Sequence, residues 1–414
     1  MSKKTTISVF EHQVLRTDIG EQRLSPDQLR ALQSYFGNGV PYFSLTYRGV
    51  QFNEYVGVLQ VGNTLIEVLP KADKYSGDIK TWRALLVGMI RAVSGFEIRS
   101  TSNADLKVKP NTILDLYFEL LIKEVAYLVH GGLIKKYVGK QGNQTALKGN
   151  LVFSKHIQKN LTHQEKFYTR YSTYDVVHPL NQVLYKAITL LKRINTNPSL
   201  QSSISALILN FPEMPDLQIS EAFFNKIIFN RKTQVYRKAI EIAKMILLQY
   251  HPDVNQGKND VLALMFDMNK LWEQFVYVSL KKHKLPNYSI TTQSSKSFWK
   301  PVGGRKTIMK PDIVIHKGDN EYLVLDTKWK NINGYNPSSD DLRQLYVYYH
   351  YYHAKKVALV YPGNFENRNG LYYEIDGTLS EKVCSVIALE ENINIRAWQN
   401  DIFRKIEDWA SEVI

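Results

Sequence analysis

Cysteine is almost missing from these 414 residues: Cys384 stands alone. One thiol excludes an intrachain disulfide and a thiolate metal cluster. Its apolar neighbours favour a buried structural thiol over a nucleophile, and a reducing cytoplasm is the simplest home for such a chain. No run approaches the roughly 18 apolar residues that cross a bilayer, so no membrane association is expected. The start, MSKKTTISVF, carries charge without an apolar core, and no secretory signal is expected. No G-x-x-x-x-G-K-S/T loop is present, so the chain is not expected to hydrolyse a nucleotide itself. H-E-x-x-H, the nucleophile elbow and zinc-finger spacings are also absent. So are internal repeats and low-complexity tracts.

What the chain does carry is positive charge. It has 53 Lys+Arg against 39 Asp+Glu, a net of +14, which suggests a polyanionic or acidic partner. From Gln256 onward the counts are 21 and 19, leaving 32 against 20 upstream, so most of the excess precedes the last third. Hydrophobic content of 44% is ordinary for a globular protein, and the length predicts two or three domains.

The pattern divides the chain into an α+β region over 1–165, a helical middle over 166–255 and an α/β region over 256–414. Ser25-Pro26-Asp27-Gln28 has a cap, a proline at the first position and Gln three after the cap, so it starts a helix. Tyr42 to Phe52 and Tyr55 to Leu69 read as strands, the second broken into a hairpin at Gly62-Asn63. Apolar spacing predicts helices through Trp82 to Ile90 and from Ile113 to Gly131-Gly132. Leu133 to Phe153 is glycine-punctuated and basic, with Lys135, Lys136, Lys140 and Lys148, and reads as a projecting hairpin or loop. Pro179 to Arg193, Leu200 to Leu209 and Thr233 to Tyr250 read as helices, and Pro252 to Asp260 as a linker.

The most informative stretch is Lys310 to Lys330, KPDIVIHKGDNEYLVLDTKWK. Pro311-Asp312 opens a strand, Gly318-Asp319-Asn320 supplies a turn, and Tyr322 to Leu325 runs into Asp326-Thr327-Lys328. Side chains alternate along a strand, so Asp326 and Lys328 share a face, and an antiparallel partner can bring Asp312 beside them. Two carboxylates and an ammonium together suit a hard divalent cation and an attacking water. In that reading Asp312, Asp326 and the Thr327 carbonyl hold Mg2+ or Mn2+. Lys328 orients the water or balances charge growing on phosphorus. An acid closing an apolar strand is costly unless it is paired or bound to metal, which favours this chemistry over an exposed decorated hairpin.

A helix (Met265 to His283), a strand (Tyr288 to Thr292), the two acid-bearing strands, a helix (Ser339 to His353) and a strand (Val357 to Tyr361) follow in turn. This αβββαβ order is that of the PD-(D/E)xK nuclease core. Gln344 and Tyr348 lie four apart and share a helix face. Gln344 is a candidate to orient water or a phosphate, and Tyr348 to contact DNA. Glu273, inside the apolar Leu271-Trp272-Glu273-Gln274-Phe275-Val276, is a candidate to complete the site. Gly303-Gly304-Arg305-Lys306 is either a plain loop or a basic turn that places Arg305 and Lys306 on DNA. His316 and His350 lack ligand spacing and read as incidental.

Leu271 to Val276, Lys310-Pro311-Asp312 and Leu325 to Lys330 resemble the C-terminal signature of the McrC family, the nuclease subunits of McrBC-type 5-methylcytosine-dependent restriction systems. Upstream, Gly57-Val58 through Ile66 to Lys71, Leu147 to Leu151 and His178-Pro179-Leu180-Asn181 also resemble that family. The resemblance implies an Mg2+-dependent endonuclease acting on double-stranded DNA with modified cytosine. It also implies a GTP-hydrolysing AAA+ partner ring resembling McrB, with GTP used by that partner, and an N-terminal domain that stimulates it. The lysines at 135, 136, 140 and 148 then become candidates for partner contact. Two alternatives stay open: a stand-alone repair or recombination nuclease, and a non-catalytic adaptor that only activates the motor.

Overall fold

The computed structural model describes residues 5–37, 39–62, 64–71, 78–93, 113–195, 197–251, 261–283, 288–292, 294–317, 321–330, 332 and 336–412. The expected turn at Gly318-Asp319-Asn320, the hairpin residue Asn63 and the expected linker Pro252 to Asp260 lie outside the described residues. The chain is mixed α/β and forms two compact units, one of residues 1–103 with 252–414 and the other of 104–251.

The N-terminal part runs β1 (Thr5–Phe10), β2 (Val14–Arg16), α1 (Pro26–Phe36), β3 (Phe43–Thr46), β4 (Gly49–Phe52), β5 (Tyr55–Val61), β6 (Thr64–Leu69) and α2 (Ile79–Val93). Ser25 caps α1 by accepting from the Gln28 N–H, and the Gln28 side chain accepts from the Ser25 N–H in return. That reciprocal pair satisfies two backbone donors the first turn would otherwise leave orphaned. β5 and β6 pair antiparallel, and β1 joins β6 in parallel. Ile7, Val9, Leu32, Phe43, Phe52, Leu59 and Ile66 meet in one core. α2 buries Trp82, Leu85, Leu86, Met89 and Ile90, the face its three- and four-residue spacing predicts.

The second unit contains α3 (Ile113–Gly131), β7 (Lys136–Gln144), β8 (Asn150–Leu151), α4 (Phe153–Asn160), β9 (Phe167–Asp175), α5 (Pro179–Ile194), α6 (Pro198–Asn210), α7 (Glu221–Asn225), α8 (Arg237–Leu248) and β10 (Tyr250–His251). Its centre is α5, whose Leu180, Val183, Leu184, Ala187, Ile188 and Leu191 are buried. Asn181 is fully buried and satisfied: its amide donates to the Ile134 and Val176 carbonyls, and its oxygen accepts from the Tyr236 hydroxyl. The basic segment differs from a self-contained hairpin. β7 pairs along its nine residues with β9, and β8 adds only two residues on the far side of β9. A nine-residue strand needs a partner of similar length, and the nearest one lies beyond residue 165.

The C-terminal part runs β11 (Val261–Asp267), α9 (Met268–His283), β12 (Tyr288–Thr292), β13 (Lys296–Trp299), β14 (Thr307–Met309), β15 (Ile313–Lys317), β16 (Glu321–Thr327), α10 (Ser339–Tyr352), β17 (Ala354–Pro362), β18 (Arg368–Tyr373), β19 (Leu379–Leu389) and α11 (Ile395–Ser411). The main sheet has the order β12-β15-β16-β17-β19-β18. β12, β15 and β16 are antiparallel neighbours, whereas β17 is parallel to both β16 and β19. The expected helix–strand–strand–strand–helix–strand succession is present, with the β13–β14 hairpin inserted after its first strand.

Two boundaries differ from the sequence-based ones. The segment through Met265 belongs to a strand, and the helix begins at Met268. That strand, β11, pairs with β5 from Val261 opposite Val61 to Asp267 opposite Tyr55. The expected break at 255/256 therefore does not separate the two ends of the chain, because β11 extends the N-terminal sheet before the chain enters α9. Residues 104–165 group with the helical middle instead of with residues 1–103.

Candidate active site

The β15–β16 register places Ile313 opposite Leu325, which makes Asp312 and Asp326 neighbours at one end of the sheet. Ile313, Val314 and Ile315 on one strand and Leu323, Val324 and Leu325 on the other are apolar and buried, so each strand carries one carboxylate at the same end of its hydrophobic run. Asp326 is 1% exposed. Asp312 Oδ2 accepts from the Thr327 N–H at 2.7 Å and from the Thr327 hydroxyl at 2.8 Å, which ties the two strand ends together.

Lys328 lies two residues past Asp326, on the same face. Its ammonium is 2.8 Å from Asp326 Oδ2 and donates to Gln344 Oε1 at 3.1 Å. Gln344 reaches in from α10, and its amide donates to Asp326 Oδ1 at 3.2 Å and to the Tyr348 hydroxyl at 2.8 Å. Tyr348 in turn donates to the Lys310 carbonyl at 3.2 Å; it is buried, and with both hydrogen-bonding roles of its hydroxyl taken inside the site it is not presented for the expected DNA contact. Asp326, Lys328, Gln344 and Tyr348 therefore form one interlocked group. Gln344 is held at both ends of its amide, which fixes its orientation.

The charges are unevenly balanced. Burial raises Asp326 to about 6, with the neighbouring Asp312 charge adding to it and Lys328 only partly offsetting it. Glu273, half-buried on α9, is pushed to about 7 by burial and then by the charges of Asp312 and Asp326. For Lys328, burial disfavours the ammonium, but the Asp326 charge and contact outweigh this and hold it above the usual lysine range. Asp312, Asp326 and Glu273 thus share one part of the structure, where Lys328 at Asp326 and the charge of Lys310 near Glu273 only partly offset their repulsion.

This arrangement fits a hard cation. Among the described residues no three His, Cys, Asp or Glu side chains form a ready metal cage. A magnesium ion that keeps most of its waters needs only one or two carboxylates, which Asp312 and Asp326 provide. The buried Asp326 Oδ2 has Lys328 nearby but off the hydrogen-bonding direction, so it retains acceptor capacity. Mutual repulsion among the acids is the quantity a divalent ion would relieve.

Several partners were not legible in the sequence. Asp341, three residues before Gln344 on α10, is buried, accepts from Lys330 at 2.7 Å and from the Tyr361 hydroxyl at 3.2 Å. Burial raises it, but hydrogen bonds from Lys330 and Ser338 outweigh that and leave it below the usual carboxylate range. Its spacing from Gln344 and Tyr348 on one helix face was the available signal. On the other side, Trp329 donates through Nε1 to Glu11 at 2.9 Å, and its backbone N–H donates to Asn269 at 3.3 Å. Trp329 also meets Trp82 and Trp272 edge to face.

The remaining expected residues lie elsewhere. Arg305 and Lys306 are exposed at the turn of the β13–β14 hairpin. Lys135, Lys136, Lys140 and Lys148 lie in or beside β7, where Lys140 is 3.4 Å from Asp175 and Lys135 and Lys148 cover the Tyr174 and Tyr171 rings. His316 hydrogen-bonds Thr291 and packs on Tyr322, and His350 packs on Tyr346. A cavity of about 290 Å³ lined by Leu342, Phe365, Tyr372 and Cys384 shares no residue with the acid site.

Residues 50–362 match the McrBC 5-methylcytosine restriction system component family. No curated protein matches the chain. Among solved structures, one chain of a refined half-complex from a tetradecameric assembly of Thermococcus gammatolerans McrB AAA+ hexamers with bound McrC has 21% identity and a TM-score of 0.73. That match covers 98% of this chain and 100% of the other. A chain in the cryo-EM structure of the Thermococcus gammatolerans McrBC complex has 21% identity and a TM-score of 0.51, covering 67% of this chain and 88% of the other. At this identity the two structures establish the shared fold.

Proposed function

Because the chain belongs to the McrBC 5-methylcytosine restriction system component family, we propose that it is the nuclease subunit of such a system. In this reading it is a metal-dependent DNA endonuclease with a PD-(D/E)xK core formed by α9, β12, β15, β16, α10 and β17. The related assembly of McrB AAA+ hexamers with bound McrC supports an AAA+ partner for it; in this reading that partner hydrolyses GTP, activates the chain and is stimulated by it. Recognition of modified cytosine belongs to the partner.

The observation that carries this reading is the interlock of Asp326, Lys328 and Gln344 beside Asp312. Asp312, Asp326 and the Thr327 carbonyl would hold Mg2+ or Mn2+, with Glu273 facing the pair. When bound, the cation supplies Lewis acidity at a DNA phosphate. Lys328, held as an ammonium, balances negative charge that grows on the phosphoryl oxygens. Gln344 keeps the lysine and Asp326 in fixed register, and Tyr348 fixes the backbone that leads into Asp312.

Asp326→Ala tests the assignment. It should abolish cleavage of modified duplex DNA while partner binding and stimulated GTP hydrolysis persist; cutting that survives would remove the site. Cleavage by the wild-type chain without partner or GTP would favour a stand-alone nuclease. Stimulated GTP hydrolysis with no cleavage in any divalent metal would favour an adaptor.

A further inference from the structure

The β13–β14 hairpin carries at its turn the Arg305 and Lys306 that read as a plain loop or a basic DNA-facing turn, and its composition is unlike the rest of the nuclease region. From Lys296 to Lys310, five of fifteen residues are Lys or Arg and none is Asp or Glu, although the region from Gln256 onward is nearly neutral. The same hairpin exposes large apolar side chains: Trp299 is 60% exposed, Ile308 52%, and Val302 at the turn is fully exposed. Exposed apolar groups next to cations, without acids, complement a polyanion that also offers flat apolar surface. Nucleic acid offers both.

The base of the hairpin is clamped to α10. The Tyr352 hydroxyl is 2.6 Å from the Ser294 carbonyl and 3.3 Å from the Met309 carbonyl, so both strands are gripped by one residue. Lys296 donates to the Tyr351 carbonyl at 2.6 Å and covers the Tyr352 ring, and Phe298 packs on Tyr351. Tyr348 holds the Lys310 carbonyl from the same helix. Hairpin and acid site thus share α10 as their support. The six steps along the chain from Lys306 to Asp312 span at most about 20 Å at about 3.3 Å per residue, or about six base pairs along a duplex.

We propose that the β13–β14 hairpin is a second DNA-contact element, in which Arg305 and Lys306 take backbone phosphates and Trp299, with Val302, packs against bases a few base pairs from the cleavage site. A two-stranded ribbon is narrow enough to enter a major groove, where apolar side chains pack against base edges such as the thymine methyl. The proposal rests on the nuclease reading for the location of the scissile phosphate, but the contact itself is measured without cutting.

The test is binding of the full chain to a fluorescein-labelled duplex in EDTA, titrated at several salt concentrations, with circular dichroism confirming that each variant is folded. Trp299→Ala should weaken binding roughly five- to a hundredfold without changing the salt slope, and Trp299→Phe should restore most of the loss. Arg305→Ala with Lys306→Ala should flatten the slope of log K against log salt by about two phosphate equivalents. Wild-type affinity and slope in both variants would overturn the proposal. So would a Trp299→Ala defect confined to stimulation of the AAA+ partner, which would make the hairpin a protein-docking surface. If wild type cuts no DNA in Mg2+ with partner and GTP, yet Trp299→Ala still weakens binding, the nuclease reading falls and the contact stands. If wild type cuts and the hairpin variants bind and cut equally well, the contact falls and the nuclease reading stands.

Discussion

Lys328 is held as an ammonium by its surroundings. Burial alone would favour the neutral amine, yet Asp326 at 2.8 Å reverses the balance. A comparable contest takes place at Glu11, 6% exposed and raised above its ordinary 4.5 by burial despite hydrogen bonds from the Lys71 N–H and Trp329. A raised carboxyl binds its proton more tightly in the folded state. Its contribution to stability is therefore fully present below about pH 4.5 and is lost as pH rises through the folded value. Glu11→Gln should remove this component, so the melting-temperature difference between wild type and variant should change steadily as pH rises from 4.5. A constant difference across that range would show that Glu11 does not titrate as a buried acid. At this scale the sequence was readable where partners are close along the chain: Asp326 and Lys328 two apart at the end of a strand, Gln344 and Tyr348 four apart on a helix. Glu11 and Trp329 are 318 positions apart, and no local periodicity records such a pair.

Among the elements, β11 decides where α9 begins and hence where Glu273 lies. The run Val261 to Asp267 continues directly into an apolar helix, and a short apolar run does not distinguish strand from buried helix by spacing. Pairing with β5 settles it, and the Met268 N–H donates to the Glu54 carbonyl as the chain turns into α9. Gly57 makes that pairing possible. Its φ is +140°, and a Cβ there would lie 2.0 Å from the Leu264 carbonyl oxygen. Gly57→Ala combines backbone strain with a clash against main chain, so it should destabilise the unit by about 3 kcal/mol or more. Chemical denaturation measures this, and a loss under about 0.5 kcal/mol would mean that β5 and β11 part easily. The helices were easier to read because their signals are local: the Ser25 capping box, the Gly131-Gly132 stop and the Pro179 start each lie within one turn of the end they mark.

On the scale of the whole molecule, the roles proposed for the chain fall on different units, and those units do not follow the order of the sequence. Unit one gathers both parts of the chain, because a strand from beyond residue 260 joins a sheet begun before residue 70. Composition and linker signals cannot reveal such a return, so the expected boundaries missed it while the α/β character was still legible. The unit formed by residues 104–251 holds β7 and the lysines proposed for partner contact, and the acid site lies entirely in the other unit. Changing Lys135, Lys136, Lys140 and Lys148 together to Ala should lower stimulation of the partner's GTP hydrolysis severalfold, while the folding and metal affinity of the acid site stay unchanged. Lys140 gives up a contact with Asp175, and Lys135 and Lys148 give up aromatic neighbours, so circular dichroism must show that the β7–β9 pairing persists. Exposed charges are screened beyond about 8 Å at 0.15 M salt. Raising salt should therefore reduce stimulation by the wild-type chain and have little further effect on the substituted one. Stimulation that survives both treatments would place the partner contact away from β7.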